Sequence, residues 1–360
     1  MYDQIRQDTL FAMLYAVVTA MAMQASCYLL FRQGNAFAKD ITPPPRLRRW
    51  TAAFFAAVAL CHLWYLPTYF LTSSDDKMLS GLIAALLDSM TIIPLAIVVF
   101  LAMLQDRRRP LWPVALTVAP LMAGLAWCIA TRSYALLPVL NVYYLLMWLG
   151  LIINMVRALR QYGRWLRDNY ADLEHKEVWQ SFVVLAIILL LYVIYSFDVG
   201  ELSYEYAVEV VNILLVYYLL WRVETLQTLP LPRREEPGEG LPLTMRSNIG
   251  PLLQQHCEES QLYLQYNITL SQLATLIGVN RSYLSQHFST QGITYNAYIN
   301  GLRIQHFINL YNEASTNHQS VTAQQLAVQS GFRSYNTFSV AFKKMKGMTV
   351  TEWMLTQISA

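Results

Sequence analysis

The chain has 360 residues, of which 55% are hydrophobic and only 14% charged, a balance too apolar for a soluble enzyme of ordinary composition. Its net charge of +3 is small and informative only when resolved by region. Four cysteines, Cys27, Cys61, Cys128 and Cys257, match neither a disulfide framework nor a metal site and read as small buried hydrophobes.

Seven apolar runs, at 9–31, 50–71, 79–104, 111–131, 134–156, 179–198 and 204–221, are long enough to cross about 30 Å of hydrocarbon as helices. The first is too long for the apolar core of a cleavable leader and is followed by further spans, so no signal peptide is expected. Pro67, Pro94, Pro120 and Pro138 are expected to kink their helices, which neighbouring helices compensate. Basic residues cluster after the odd-numbered runs: Arg32, Lys39, Arg46, Arg48 and Arg49; then Arg107, Arg108 and Arg109; then Arg157, Arg160, Arg164, Arg167 and Lys176. The N-terminus and the remaining loops carry only Arg6, Lys77 and Arg132. By the positive-inside rule the N-terminus is expected outside and everything after residue 222 in the cytoplasm, with Trp50, Trp112, Trp179 and Trp221 at the cytoplasmic interface.

The seventh run, YEYAVEVVNILLVYYLLW, has no lysine for a retinal Schiff base, and no HExxH or GxSxG motif occurs, so no catalytic activity, metal or cofactor is expected. Polar residues within the runs are few. His62 and Asp88 lie about nine residues from the outer ends of their helices, with Asn141, Glu209 and Asn212 in the same outer half. A carboxylate in hydrocarbon costs about 2.5–3.5 kcal/mol on insertion scales, so these five are candidates for an outward-opening polar pocket that receives a signal ligand or membrane partner, with His62 and Asp88 paired across two helices. The competing reading is interhelical glue at about 0.6 kcal/mol per contact.

Residues 226–243, LQTLPLPRREEPGEGLPL, are rich in proline, glycine and charge and read as an extended tether able to reach roughly 50 Å at about 3 Å per residue. They divide a membrane domain, 1–225, from a polar C-terminal domain, 244–360. A flexible tether transmits no rotation, so signalling by association into a homodimer is the expected mode.

The C-terminal domain repeats itself. Leu273-Ala274-x3-Gly278 recurs as Leu326-Ala327-x3-Gly331, Leu284-x3-Phe288 as Phe338-x3-Phe342, and Gly292-Ile293-Thr294-x3-Tyr298 as Gly347-Met348-Thr349-x3-Trp353. Alanine permits close helix approach and glycine a tight turn, which is the logic of a helix-turn-helix whose second helix enters the major groove of double-stranded DNA. Helical phase turns Arg281, Ser282, Ser285, Gln286 and Ser289 outward in the first unit, and Tyr335, Asn336, Ser339 and Lys343 in the second. Glutamine and asparagine suit adenine edges, while Arg333, Lys343 and Lys344 suit phosphates. Residues 243–360 hold seven Lys/Arg against four Asp/Glu, so few phosphate contacts are expected.

Residues 249–356 resemble the AraC/XylS family of bacterial transcription regulators, through ITLSQLATLIGVNRSYLSQHF, YINGLRIQHFINL and VTAQQLAVQSGFRSYNTFSVAFKKMKGMTVTEW. The resemblance implies two helix-turn-helix units joined by a long central helix, about 294–311, with Leu302-Arg303 bracing the fold and the polar stretch NEASTNHQS as a loop. Where the family usually has arginine in each recognition helix, this chain has Gln286 and Val340. The expected fold is therefore all-α, a seven-transmembrane-helix bundle followed by an AraC-type domain. The expected function is a regulator integrated in the bacterial cytoplasmic membrane that binds promoter DNA in response to a signal received by the membrane domain. Its rivals are a transporter or membrane enzyme with an attached regulatory domain, and an inert anchor with proteolytic release.

Overall fold

Each apolar run is helical over most of its described residues, the third run as two helices, and proline and short polar side chains set where helices start, stop and break. The computed structural model describes residues 8–32, 34–39, 41–105, 110, 112–195, 202–229 and 249–358. Arg107–Arg109, Asp198 and residues 230–243 of the tether lie outside the described residues. The first eight helices are α1 Thr9–Phe31, α2 Pro45–Phe70, α3 Ser74–Met90, α4 Ile92–Met103, α5 Trp112–Thr131, α6 Leu137–Asn169, α7 Trp179–Tyr195 and α8 Leu202–Thr225. Then come α9 Ile249–Leu253, α10 Leu270–Leu276, α11 Arg281–Thr290, α12 Tyr295–Thr316, α13 Ala323–Gln329, α14 Tyr335–Lys346 and α15 Val350–Ile358, with no strand among the described residues.

Six segments among the described residues are long and apolar enough to cross a membrane, α3 and α4 together forming one of them. The seventh apolar helix, α7, has 17 described residues. Pro94 explains the break between α3 and α4: it has no N–H for the Met90 carbonyl, and its ring crowds that carbonyl, so the chain leaves helical geometry at Thr91 (φ −122°, ψ −68°). The Thr91 hydroxyl donates back to the Leu87 carbonyl at 2.7 Å. Pro67 and Pro120 lie inside α2 and α5. Pro138 is instead the second residue of α6, where its missing N–H had no intrahelical partner to lose and no kink is required.

The chain divides into two compact units, 1–160 with 178–229, and 161–177 with 230–360. The second unit therefore includes a stretch that the sequence reading assigns to the loop between the fifth and sixth spans.

In the first unit α1 lays a stripe of Phe11, Val18, Ala22, Ala25 and Leu29 inward, and Ser26 Oγ donates to the Ala52 carbonyl of α2 at 2.8 Å, a close approach that small residues permit. A second cluster joins α3 to α6 through Leu82, Ile93, Val118, Leu125, Leu140 and Trp148. Outward faces are apolar, as with Leu116 (63% exposed) and Leu146 (61%), the reverse of a water-facing bundle. The buried Glu224 carboxylate meets Arg48 Nε at 3.1 Å, Asn35 Nδ2 donates to the Glu224 carbonyl at 2.7 Å, and Thr228 N donates to the Thr42 carbonyl at 2.9 Å. Residues 226–229, read as the start of the tether, are thus held against the bundle.

The second unit is built on the repeat. Thr269 and Thr322 each cap a helix and share a reciprocal capping box with a glutamine three residues on, Gln272 and Gln325. Phe307, Phe338 and Phe342 pack together with ring centroids 4.4–5.9 Å apart. The central helix α12 runs to Thr316, so half of the stretch expected as a loop is helical. The turn glycines Gly278 and Gly331 both have positive φ, 72° and 85°. A Cβ on Gly331 would lie 2.6 Å from the Leu264 backbone oxygen, whereas one on Gly278 meets open space. Left-handed geometry costs a non-glycine residue roughly 1–2 kcal/mol. Gly278→Ala should lose about that much stability, and Gly331→Ala more, because the backbone of Leu264 must move as well; thermal unfolding of the two variants checks the order.

Candidate nucleic-acid interface

Two short recognition helices carry the candidate DNA face. In α11, Asn280 caps the helix by accepting from Ser282 N at 2.7 Å, while Leu284 and Phe288 are buried. That phase leaves Ser282, Gln286 and Ser289 exposed and Ser285 half-buried. In α14 Phe338 and Phe342 are buried and Ser334 caps the helix. Tyr335, Asn336, Lys343 and Lys344 are exposed, and Ser339 is half-buried with its hydroxyl donating to the Asn336 carbonyl at 3.0 Å. Lys343 and Lys344 occupy the last turn of α14, where they complement the helix dipole and present charge to solvent. Val340, at the position where the sequence lacks the family's arginine, is 65% exposed.

Arg303 of α12 fixes the body that carries both helices. It is 1% exposed, its Nε donating to the Tyr263 carbonyl at 2.7 Å and its Nη2 to the Gln265 carbonyl at 2.8 Å. Its guanidinium lies 5.6 Å from the Phe332 ring centroid. Burial pushes its pKa down to about 10, which leaves it charged at neutral pH. One side chain thus joins the loop before the first unit to the turn of the second.

Arg281 and Arg333 are not free. Arg281 donates from Nε to Asn169 Oδ1 at 3.1 Å and makes a second, shorter bond to the same oxygen through Nη2. Arg333 Nη1 stands 3.8 Å from Asp172 Oδ2 and its guanidinium 5.9 Å from the Tyr266 ring centroid. Beside it, Ser334 Oγ and Thr337 Oγ1 both donate to Glu174 Oε2 at 2.9 Å. Backbone pairing seats this segment: Ala171 N donates to the Ile268 carbonyl at 3.3 Å, Asn296 Nδ2 donates to the Ala171 carbonyl at 2.7 Å, and Ala171 is buried in the core of the first repeat. The sequence reading missed it. Its one signal was acidic residues, Asp168, Asp172, Glu174 and Glu177, in a loop otherwise read for its basic ones.

The polar residues of the first unit gather between α1, α2, α3 and α8. His62 does not pair with Asp88. Its Nε2 meets Glu209 Oε2 at 3.2 Å and its Nδ1 faces the Val58 carbonyl at 2.7 Å. Because the carbonyl can only accept, Nδ1 carries a proton, and the His62–Glu209 contact then needs one further proton shared by its two atoms. Asp88 instead accepts from Trp64 Nε1 and Tyr65 Oη, both at 3.0 Å, and Glu205 from Tyr69 Oη at 3.0 Å. Tyr15 Oη donates to the His62 carbonyl. Asn212 is buried on α8 with Glu209, while Asn141 faces outward from the bundle. Tyr15, Trp64, Tyr65, Tyr69 and Glu205 were not singled out from the sequence, since aromatic residues in apolar runs carry no signal of their own.

Two helix-turn-helix units on one all-helical body define a DNA-binding protein of the transcription-regulator class. Residues 273–355 match a family model described as a helix-turn-helix domain, and this part of the chain is an AraC-type helix-turn-helix domain. No curated protein and no solved structure matches the chain.

Burial raises the pKa of Glu174, but the hydroxyls of Thr337 and Ser334, with His175 and Arg333, more than offset it and hold the carboxyl below its ordinary 4.5. A depressed carboxylate contributes its binding fully above that ordinary value and loses it as pH falls through the lowered one. Protection of residues 170–177 against hydrogen exchange, taken relative to the intrinsic rate at each pH, should therefore stay flat down to about pH 5 and then fall as pH falls further.

Proposed function

We propose that this protein is a one-component transcription regulator integrated in the bacterial cytoplasmic membrane. The observation that carries the reading is the combination, in one chain, of an AraC-type helix-turn-helix domain with six helical segments, among the described residues, apolar and long enough to span a bilayer. The basic loops support an N-terminus outside and a DNA-binding unit in the cytoplasm. The outward side chains of α11 and α14 meet the major groove: Gln286 and Asn336 read base edges, with Ser282, Ser285, Ser289, Tyr335 and Ser339 beside them, and Arg281, Arg333, Lys343 and Lys344 hold phosphates. The cluster of His62, Asp88, Glu205 and Glu209 with its tyrosines receives the signal, for which a paired, polar site at this depth is suited.

Genome-wide mapping of DNA crosslinked to membrane-retained protein is the deciding experiment; a discrete set of promoter sites is expected. The rival readings have their own signatures, substrate uptake into vesicles for a transporter, and a soluble fragment carrying residues 244–360 for proteolytic release.

Two sets of substitutions test the residue assignments. Lys343→Ala with Lys344→Ala should weaken binding to all duplexes about equally and reduce the salt slope by about 2, whereas Gln286→Ala should relax preference at one base step by about 1–3 kcal/mol. Asp88→Asn and Glu209→Gln should abolish the response while membrane level and DNA binding persist. Survival of the response in both variants would assign the cluster to packing alone.

A further inference from the structure

The segment 169–177 reaches the N-terminal ends of both recognition helices, where its Asn169, Asp172 and Glu174 oxygens face donors suited to phosphate. Asn169 Oδ1 takes Arg281, the first residue of α11. Glu174 Oε2 takes the two hydroxyls at the start of α14, where the free N–H groups and the helix dipole favour an anion. Asp172 faces Arg333. Guanidinium and hydroxyl donors bind carboxylates and phosphates by the same charge-assisted geometry, so one set of donors cannot serve both at once.

We propose that this segment is an intramolecular competitor for DNA, its carboxylate and amide oxygens occupying the places of phosphate oxygens at both recognition helices. The proposal rests on the DNA-binding reading above and adds a regulatory element to it. The hold is built to release. Asp172 Oδ2 is buried, yet it stands 3.8 Å from Arg333 and 3.6 Å from Lys176 and makes no hydrogen bond, so withdrawing Arg333 toward a phosphate breaks none. The anchor is separate from the grip: Ala171 packs in the core, whereas Asn169 and Glu174 reach the helices with side chains alone. In sequence the segment directly follows the apolar part of α6, which gives the membrane unit a covalent handle on it other than the tether.

The test uses the full-length chain in lipid nanodiscs and a random-sequence duplex of about 30 base pairs, which reads the phosphate term. Asn169→Ala with Glu174→Ala, which frees Arg281 and the two hydroxyls, should bind this duplex more tightly, by about fivefold at 0.15 M salt, with a log–log salt slope steeper by about 1. Unchanged or weaker binding with unchanged thermal stability would overturn the proposal and make the segment a brace. A readout independent of the variants is hydrogen exchange in the wild-type chain. Adding duplex should speed exchange at the amides of 169–177, and protection there would overturn the proposal whatever the variants do. Failure of wild type and variant alike to bind any duplex would instead sink the DNA-binding reading, and this proposal with it.

Discussion

The DNA-binding unit depends on one buried charge. Arg303 sits on the central helix, where burial alone would make it a liability of several kcal/mol. It is tolerated because two backbone carbonyls of the Tyr263–Gln265 turn accept from it and an aromatic ring of the other repeat lies beside it. The same turn is pressed against the second unit at Gly331, where no side chain fits. Between them, Arg303 and Gly331 set the spacing of two helix-turn-helix units whose cores are otherwise separate. Loss of either would leave each half folded around its own phenylalanines but free to shift against the other, and two helices reading one duplex cannot tolerate such a shift.

The first unit solves a related problem differently. Asp88, Glu205 and Glu209 are met by tyrosine, tryptophan and histidine donors. Such partners satisfy a carboxylate in low dielectric without importing a second full charge. The proton between His62 and Glu209 keeps that pair neutral as a whole in either arrangement. Near the other end of α8, the buried Glu224 is matched instead by Arg48 at 3.1 Å.

The sequence displayed periodic features well and solitary ones poorly. The helices of the apolar runs were readable because each run is long, continuous and free of charge over most of its length. The repeat was readable because Gly278, Gly331 and the spaced Leu and Phe pairs serve one physical need twice. Pro94 announced a break, though not its residue, while Pro138 misled because proline at a helix start and inside one look alike until the start is known. In the site, the outward faces of α11 and α14 followed from phase alone. The docking of 169–177 did not, because a contact between residues far apart in the chain, such as Asn169 with Arg281 at a separation of 112 positions, leaves no local pattern in a single chain. The His62 partner was misassigned for the same reason: two carboxylates lay at the right depth, and only packing chooses Glu209 over Asp88.

The division of the chain bears on how such proteins can be recombined. A cut in the tether looks like the natural joint for exchanging one reading head for another. Yet the second unit owns residues 161–177 as well as 230–360, so its material is interleaved with that of the first unit. A chimera joined in the tether would confront a foreign head with this chain's dock, whose Asn169, Ala171 and Glu174 were shaped for other partners. An exchange of specificity would therefore have to carry a short stretch of sequence from the far side of the joint.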